Sequence, residues 1–155
     1  MDITGEQLIN KSQQLTWDAI SDPAVLQKCI PGCISLEQTA EGEFELLMNA
    51  KIGPVSAKFK GKITLANVDA PNAYTLIFEG QGGVAGYAKG EADVKLQAEA
   101  EATRLTYVAR ATVGGKIAQV GSRLIDGVVR KMSGQFFTAF EQHLGAPPAA
   151  ADSAS

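Results

Sequence analysis

Few residues in this 155-residue sequence combine the chemistry and the spacing that catalysis or metal binding requires. Cys29 and Cys33 flank Ile30-Pro31-Gly32, and His143 is the one histidine. A structural zinc site needs four ligands, and a redox pair normally has two residues between its thiols rather than three. We interpret the cysteines as ordinary buried thiols beside a turn that ends a helix, with a metal or redox role as the alternative. No metal or covalently bound cofactor is expected.

A glycine-rich segment from Gly80 to Gly90 invites comparison with phosphate-binding loops. A dinucleotide-binding fingerprint requires glycine where Ala85 stands, and a strand–helix crossover around it. The Gly114-Gly115-Lys116 segment lacks the serine or threonine and the upstream glycine of a P-loop. We therefore expect a flexible or bulged loop at one mouth of a sheet.

Acid–base catalysis favours a histidine or a carboxylate in an apolar pocket. Between Phe44 and Val113, the positions that strand alternation assigns to an inner face contain no Asp or Glu. Tyr107 and Gln135 are the reactive or strongly polar residues that periodicity places inward, and either could hydrogen-bond a ligand carbonyl. The alternatives are a core tyrosine and a helix-end glutamine. This pattern favours ligand binding over catalysis.

The N-terminal part is predicted to contain one strand and two short helices. The strand covers residues 2–11, and the first helix covers residues 13–20. Asp22-Pro23 caps and starts a second helix that runs to about Cys29, and Pro31-Gly32 ends it.

The rest of the chain is predicted to form a sheet and one long helix. Apolar and polar residues alternate from Ile34 to Val113, which predicts six strands in an antiparallel meander. The period then changes to 3.6 over residues 116–143, a helix about 40 Å long. We predict an α+β fold in which a curved seven-stranded antiparallel sheet wraps this helix, since only the helix is long enough to cover the apolar face.

Small residues on the inward faces predict a cavity between sheet and helix. Gly121 falls on the helix stripe that faces the sheet, and Gly61 and Ala109 lie on inner strand positions. Missing side-chain volume leaves either close helix–sheet contact or a cavity. We expect a ligand cavity lined by Phe44, Leu46, Met48, Phe59, Phe78, Tyr107, Gly121, Leu124, Val128 and Met132.

The net charge and the exposed side chains indicate which classes of binding partner suit this protein. The net charge of -3 argues against general nucleic-acid binding. Lys58, Lys60 and Lys62 form a basic stripe, and Phe137 falls on the polar side of the helix. Both are candidates for contact with anionic lipid or an acidic partner, although a solvated face and an isolated exposed aromatic are the alternatives. No signal peptide or membrane span is recognisable, so a cytoplasmic location is expected.

Four segments resemble the CoxG family of carbon monoxide dehydrogenase subunits, over roughly residues 1–143. These are Cys29-Ile30-Pro31-Gly32-Cys33, Ile52-Gly53-Pro54-Val55 with Phe59-Lys60-Gly61-Lys62, the loop at 82–92, and the run at 113–126 that starts the long helix.

The resemblance implies a START-like, Bet v 1-type (SRPBCC) domain with a helix-grip fold over residues 1–144. The Ala-, Pro- and Ser-rich composition of residues 145–155 predicts a flexible tail. It implies a hydrophobic cavity for a quinone or lipid and a non-catalytic role beside a molybdenum-containing carbon monoxide dehydrogenase. That role includes recruiting or coupling the enzyme to the inner face of the membrane. Relatives often carry an apolar C-terminal anchor that Gly145–Ser155 does not resemble, so the basic stripe would have to serve instead. A cyclase- or hydrolase-type enzyme and a pure assembly factor are the alternative functions.

Overall fold

The computed structural model describes residues 2–145 and has the α+β helix-grip architecture that was predicted. Seven strands and four helices follow in the order β1 (Asp2–Ile9), α1 (Gln13–Ile20), α2 (Pro23–Cys29), β2 (Cys33–Ala40), β3 (Glu43–Ile52), β4 (Val55–Asp69), β5 (Ala73–Gln81), β6 (Tyr87–Glu99), β7 (Ala102–Gly114), α3 (Lys116–Gln119) and α4 (Ser122–Gly145). Most of the predicted tail, residues 146–155, lies outside the described residues.

The strands form one curved, open antiparallel sheet in the order β1-β7-β6-β5-β4-β3-β2. Each strand from β2 to β7 pairs with the next along the chain, which is the predicted meander, and β1 returns to pair with β7. In this register Gly5 lies opposite Tyr107, and Leu46 lies opposite Gly61. Because side chains alternate across a strand, one face of the sheet carries most of its buried apolar residues.

Local capping sets the two short helices. The Ser12 hydroxyl accepts a hydrogen bond from the Leu15 amide at 3.3 Å at the start of α1. The Asp22 carboxylate accepts from the Ala24 amide at 2.9 Å at the start of α2, where Pro23 needs no amide partner. Both helices have the bounds predicted from sequence, while β1 ends at Ile9 rather than at residue 11.

The predicted continuous helix over residues 116–143 is wrong at one point, since Gly121 divides it into α3 and α4. Gly121 has φ of +96°, a left-handed conformation that cannot continue an α-helix. Its carbonyl accepts the first hydrogen bond of α4, from the Ile125 amide at 3.1 Å. Gly121 is exposed and therefore does not lie on the stripe that faces the sheet.

The break also changes which face of α4 is buried. The buried residues of α4 are Ile125, Phe137 and Phe140, because α4 starts afresh at Ser122 and its phase is not continuous with Ile117. Phe140 joins the main core with residues of β1, β5, β7 and α1. A smaller cluster of Phe59, Ala85 and Ile117 closes the opposite end of the sheet.

Candidate functional site

Three adjoining chambers lie between the sheet and α4. The inner chamber, about 240 Å³, lies beneath α2 and the second half of α4, with Phe44, Tyr74 and Phe136 among its walls. The hairpin chamber, about 350 Å³, follows the β3–β4 hairpin. The edge chamber, about 370 Å³, lies between β7 and the first half of α4.

The chambers share walls and so form one apolar interior. Ile63 and Leu76 border both the inner and the hairpin chamber, and Tyr107 borders both the inner and the edge chamber. The hairpin and edge chambers share Ile52, Phe78, Ala88, Ile117 and Met132.

The walls offer few polar groups. Within residues 2–145, the inner and edge chambers are lined by no acidic or basic residue and by no histidine or cysteine; their side-chain polar atoms are hydroxyls of Ser21, Tyr74, Tyr107 and Ser133. Lys62 and Glu79 border the hairpin chamber but are exposed residues at outward strand positions. Apolar contact therefore dominates what this interior offers a ligand.

Tyr107 is held between a glycine and a phenylalanine. A Cβ placed on Gly5, its partner across β1 and β7, would fall well inside 3.0 Å of the Tyr107 ring, so the ring lies across Gly5. On its other side the ring stacks on Phe137, with centroids 6.2 Å apart and planes 18° apart. The Tyr107 hydroxyl makes no hydrogen bond to the described residues, and the charge within electrostatic reach of it is the exposed Arg130 guanidinium.

Tyr74 is a polar wall residue that the sequence analysis did not single out. It lies on β5 with 8% of its surface exposed, and Trp17 meets its ring edge-on at a centroid distance of 5.6 Å. Burial raises the pKa of Tyr74 to about 12. Its hydroxyl has no hydrogen-bond partner among residues 2–145. The alternation of Tyr74, Leu76 and Phe78 was the available signal, since it places this tyrosine inward.

Most predicted cavity residues do lie on chamber walls: Phe44, Leu46, Met48, Phe59, Phe78, Tyr107 and Met132. Gly121, Leu124 and Val128 do not. Gly121 lies in the break before α4. Leu124 is 38% exposed and covers the β3–β4 turn, 3.1 Å from where a Cβ on Gly53 would stand. Val128 is half-buried, and the neighbouring Val129 takes the wall position instead.

The glycine-rich loop between β5 and β6 is packed rather than free. It contains a single 3-10 turn, Gly83–Ala85, and Ala85 is 4% exposed beside Phe59 and Ile117. A Cβ on Gly115 would lie 2.5 Å from the Gly86 Cα, so the two backbones touch where only glycine fits. The amides of Gly82, Ala85 and Gly86 bond within the loop, which leaves them unable to bind a phosphate.

The two cysteines, Gln135 and His143 lie away from the chambers. Cys29 is buried in the main core, and Cys33 is half-buried with its Sγ 3.5 Å from the Ser35 carbonyl. Burial raises the pKa of both thiols. No cluster able to hold a metal ion occurs among residues 2–145. The inward placement of Gln135 is wrong, because that residue is exposed on α4, as is His143.

The basic stripe lies on the outer face of β4, where Lys58, Lys60 and Lys62 are all exposed. Lys62 approaches Glu43 to 3.8 Å and pairs in register with Glu45 and Glu79. Lys58 and Lys60 make no ion pair within the described part of the chain. No helix of residues 2–145 has the length and apolar character that crossing a membrane requires.

The predicted exposure of Phe137 is wrong. This side chain is 8% exposed and is enclosed by Tyr107 and Phe136. The Phe136 and Phe137 rings meet edge-on, with their centroids 5.1 Å apart. The shifted phase of α4 turns it toward the sheet. Phe137 therefore belongs to the wall of the inner chamber rather than to an outer contact surface.

Comparisons with known structures agree on the fold. A conserved protein from Geobacillus kaustophilus is 30% identical with a TM-score of 0.88, covering 93% of this chain and 95% of that chain. Protein Ms6760 from Mycobacterium smegmatis is 18% identical with a TM-score of 0.69, covering 96% of this chain and 93% of that chain. The Zhui aromatase/cyclase from Streptomyces sp. R1128 is 10% identical with a TM-score of 0.68, covering 97% of this chain and 99% of that chain. The last two likenesses show the fold alone. A search of curated proteins found no match.

The sequence also matches a family model over nearly its whole described length. The model is that of the CoxG subunit of carbon monoxide dehydrogenase, and the match covers residues 5–145. It includes the hairpin tip, the packed glycine loop and both helices that follow β7. The chain, with its helix-grip fold, therefore belongs to the CoxG family of carbon monoxide dehydrogenase subunits.

Proposed function

We propose that this chain is a non-catalytic accessory protein of a molybdenum-containing carbon monoxide dehydrogenase. It holds an apolar ligand, a quinone or a lipid, in the three chambers and helps couple or recruit the enzyme to the membrane. The observation that carries the proposal is the interior itself, whose inner and edge chambers have walls of apolar residues and four hydroxyls. The family description supports the partner enzyme.

The apolar walls favour an apolar ligand energetically. A ligand that fits against them gains dispersion contacts with the wall atoms. It also removes its own apolar surface from water, which contributes about 25 cal/mol per Å². General acid–base chemistry has less support, since no acidic residue, basic residue or histidine among the described residues lines the inner or the edge chamber.

The ligand proposal is tested by asking what the purified protein carries. We expect native mass spectrometry and organic extraction to detect a quinone or a lipid, and added quinone to titrate to saturation. Ala92→Phe, which fills the inner chamber, should remove most of this binding. Ala98→Phe, on the same strand at an exposed position, is the matched control. Protein that retains nothing and titrates with no quinone or lipid would overturn the carrier role.

The membrane proposal rests on the two lysines of β4 that make no ion pair to the described residues. A lysine near an anionic membrane contributes on the order of 1 kcal/mol to binding. Lys58→Glu/Lys60→Glu should therefore lower binding to vesicles of phosphatidylglycerol and phosphatidylcholine in a flotation assay. Lys28→Glu/Lys131→Glu makes the same charge change at exposed positions elsewhere. If both double variants lose binding equally, net charge rather than this surface is responsible.

A carrier and a pure assembly factor differ in how they depend on the chambers. Pull-down of the dehydrogenase by the Ala92→Phe variant separates them. The carrier proposal predicts that the enzyme is still captured while electron transfer from carbon monoxide to quinone falls. Capture and electron transfer that both stay at the original level would favour assembly alone.

A further inference from the structure

Tyr74, which lines the inner chamber, carries a buried hydroxyl that the fold does not use. Tyr74 is 8% exposed, and among residues 2–145 its hydroxyl has no hydrogen-bond partner. A buried polar group without a partner is costly, and native proteins rarely leave one without a reason. The fold could have avoided this cost with phenylalanine, which has the same ring and would keep the edge-on contact with Trp17.

The surroundings of this hydroxyl restrict what could bind to it. Ser21 and Tyr107 carry the other side-chain polar atoms of the inner chamber, and none of the described residues lining the chamber is charged. A carboxylate or phosphate buried there would lack a cation, which is prohibitively unfavourable in an apolar interior. A neutral oxygen acceptor needs only a donor, and a tyrosine hydroxyl provides one.

The polar wall residues are unevenly distributed between the chambers, which favours one orientation of the ligand. Three of the four hydroxyl-bearing wall residues line the inner chamber, whereas the hairpin chamber is lined by apolar side chains apart from the exposed Lys62 and Glu79 at its border. Ile63 and Leu76 border both chambers, which are therefore adjacent. A polar end in the inner chamber and an apolar remainder toward the β3–β4 hairpin would satisfy both environments.

We propose that Tyr74 is a specificity-determining residue whose hydroxyl donates a hydrogen bond to a neutral carbonyl or ester oxygen at the inner end of the ligand. This inference rests on the proposed ligand-binding function. A hydrogen bond from Tyr74 in this uncharged chamber would favour binding of neutral oxygen-bearing amphiphiles over hydrocarbons and over fatty-acid anions.

Three probes of nearly equal shape test the proposal in the full chain by isothermal titration calorimetry. They are 2-acetylnaphthalene, which has a neutral carbonyl, 2-ethylnaphthalene, which has none, and 2-naphthoate, which is charged. Tyr74→Phe should weaken binding of 2-acetylnaphthalene about 2- to 10-fold, the range that a single net hydrogen bond supplies, and should leave 2-ethylnaphthalene unchanged. Tyr87→Phe, the same change on the exposed outer face, should alter neither. The original protein should bind 2-naphthoate least.

The outcomes separate this inference from the function on which it rests. If the original protein binds none of the probes, both fail. If it binds them and Tyr74→Phe weakens none, or weakens the ketone and the hydrocarbon equally, ligand binding stands and the role of Tyr74 is overturned. The ligand-free melting temperature is an independent readout. Because the hydroxyl has no partner to lose among the described residues, Tyr74→Phe should not lower it, and a clear loss would assign the hydroxyl to the fold instead.

Discussion

Tyr107 borders two chambers, and its position depends on the absence of a side chain at Gly5. A Cβ at Gly5 would fall inside 3.0 Å of three Tyr107 ring and hydroxyl atoms, whereas ordinary contact begins at 3.4 Å. The ring would have to retreat by roughly 1 Å, which weakens its stacking on Phe137. Loss of an aromatic pair costs about 0.5–1.5 kcal/mol and overpacking about 1–3 kcal/mol. We therefore expect Gly5→Ala to lower the free energy of unfolding by about 2 kcal/mol.

Gly80→Ala is the matched control for this substitution. Gly80 also lies on an inward strand position, but the atom nearest to an added Cβ is the Ala88 carbonyl oxygen at 4.0 Å. This change should leave stability equal or raise it by up to about 1 kcal/mol, since alanine restricts the unfolded chain. Guanidinium unfolding followed by the fluorescence of Trp17 measures both variants. In a melting experiment, Gly5→Ala should lose about 4–8 °C.

A double-mutant cycle isolates the cause. In a Tyr107→Ala background the ring is gone, so Gly5→Ala should cost little, and the coupling free energy should be about 1–2 kcal/mol. If Gly5→Ala is as harmless as Gly80→Ala, or equally costly without the Tyr107 ring, the ring does not lie across Gly5. The placement of Tyr107 between the inner and edge chambers would then be wrong.

Two further predictions concern the helix break and the buried phenol. Gly121→Ala should lower the free energy of unfolding by about 1–2 kcal/mol, because alanine resists φ of +96°. Gly127→Ala within α4 should raise it by about 0.5–1 kcal/mol, because alanine favours a helix more than glycine does. Equal effects of the two substitutions in urea unfolding would contradict the break. Because burial raises the pKa of Tyr74 from 10.0 to about 12, the unfolded chain releases that proton first as pH rises. The original protein should therefore lose stability relative to Tyr74→Phe between pH 10 and pH 12, by up to about 3 kcal/mol, and a constant difference across that window would refute the burial argument.

The local parts of the fold were predictable from sequence because their causes are local. Asp22 and Pro23 define the start of α2 through a side-chain cap and a missing amide, and both are visible in the sequence. The alternation in β3 and β4 names the inward residues with the right parity, so Phe44, Leu46 and Phe59 were assigned to the interior correctly. Because side chains alternate with a period of two, a mispredicted strand end does not change the face assigned to the residues within the strand.

The inward face of the C-terminal helix was not predictable from local sequence in the same way. A period of 3.6 depends on uninterrupted phase, and one residue with positive φ resets it. The periodic pattern across Gly121 looked continuous, so Leu124 and Gln135 were placed inward and Phe137 outward. A glycine within a helical pattern is compatible with either a helix interior or a break, and sequence alone does not separate the two.

By itself, the sequence determined the order of the strands and the short helices, the six-stranded meander, the two capped helices and the apolar face that needs a cover. These follow from short-range periodicity and from residues that act on their immediate neighbours. Only the tertiary structure decided where the wrapped helix breaks, which aromatic residues enclose the inner chamber and that the Tyr74 hydroxyl is buried without a partner among the described residues. The reason is physical: a chamber is the volume left over after distant side chains have packed, and that volume depends on all of them at once.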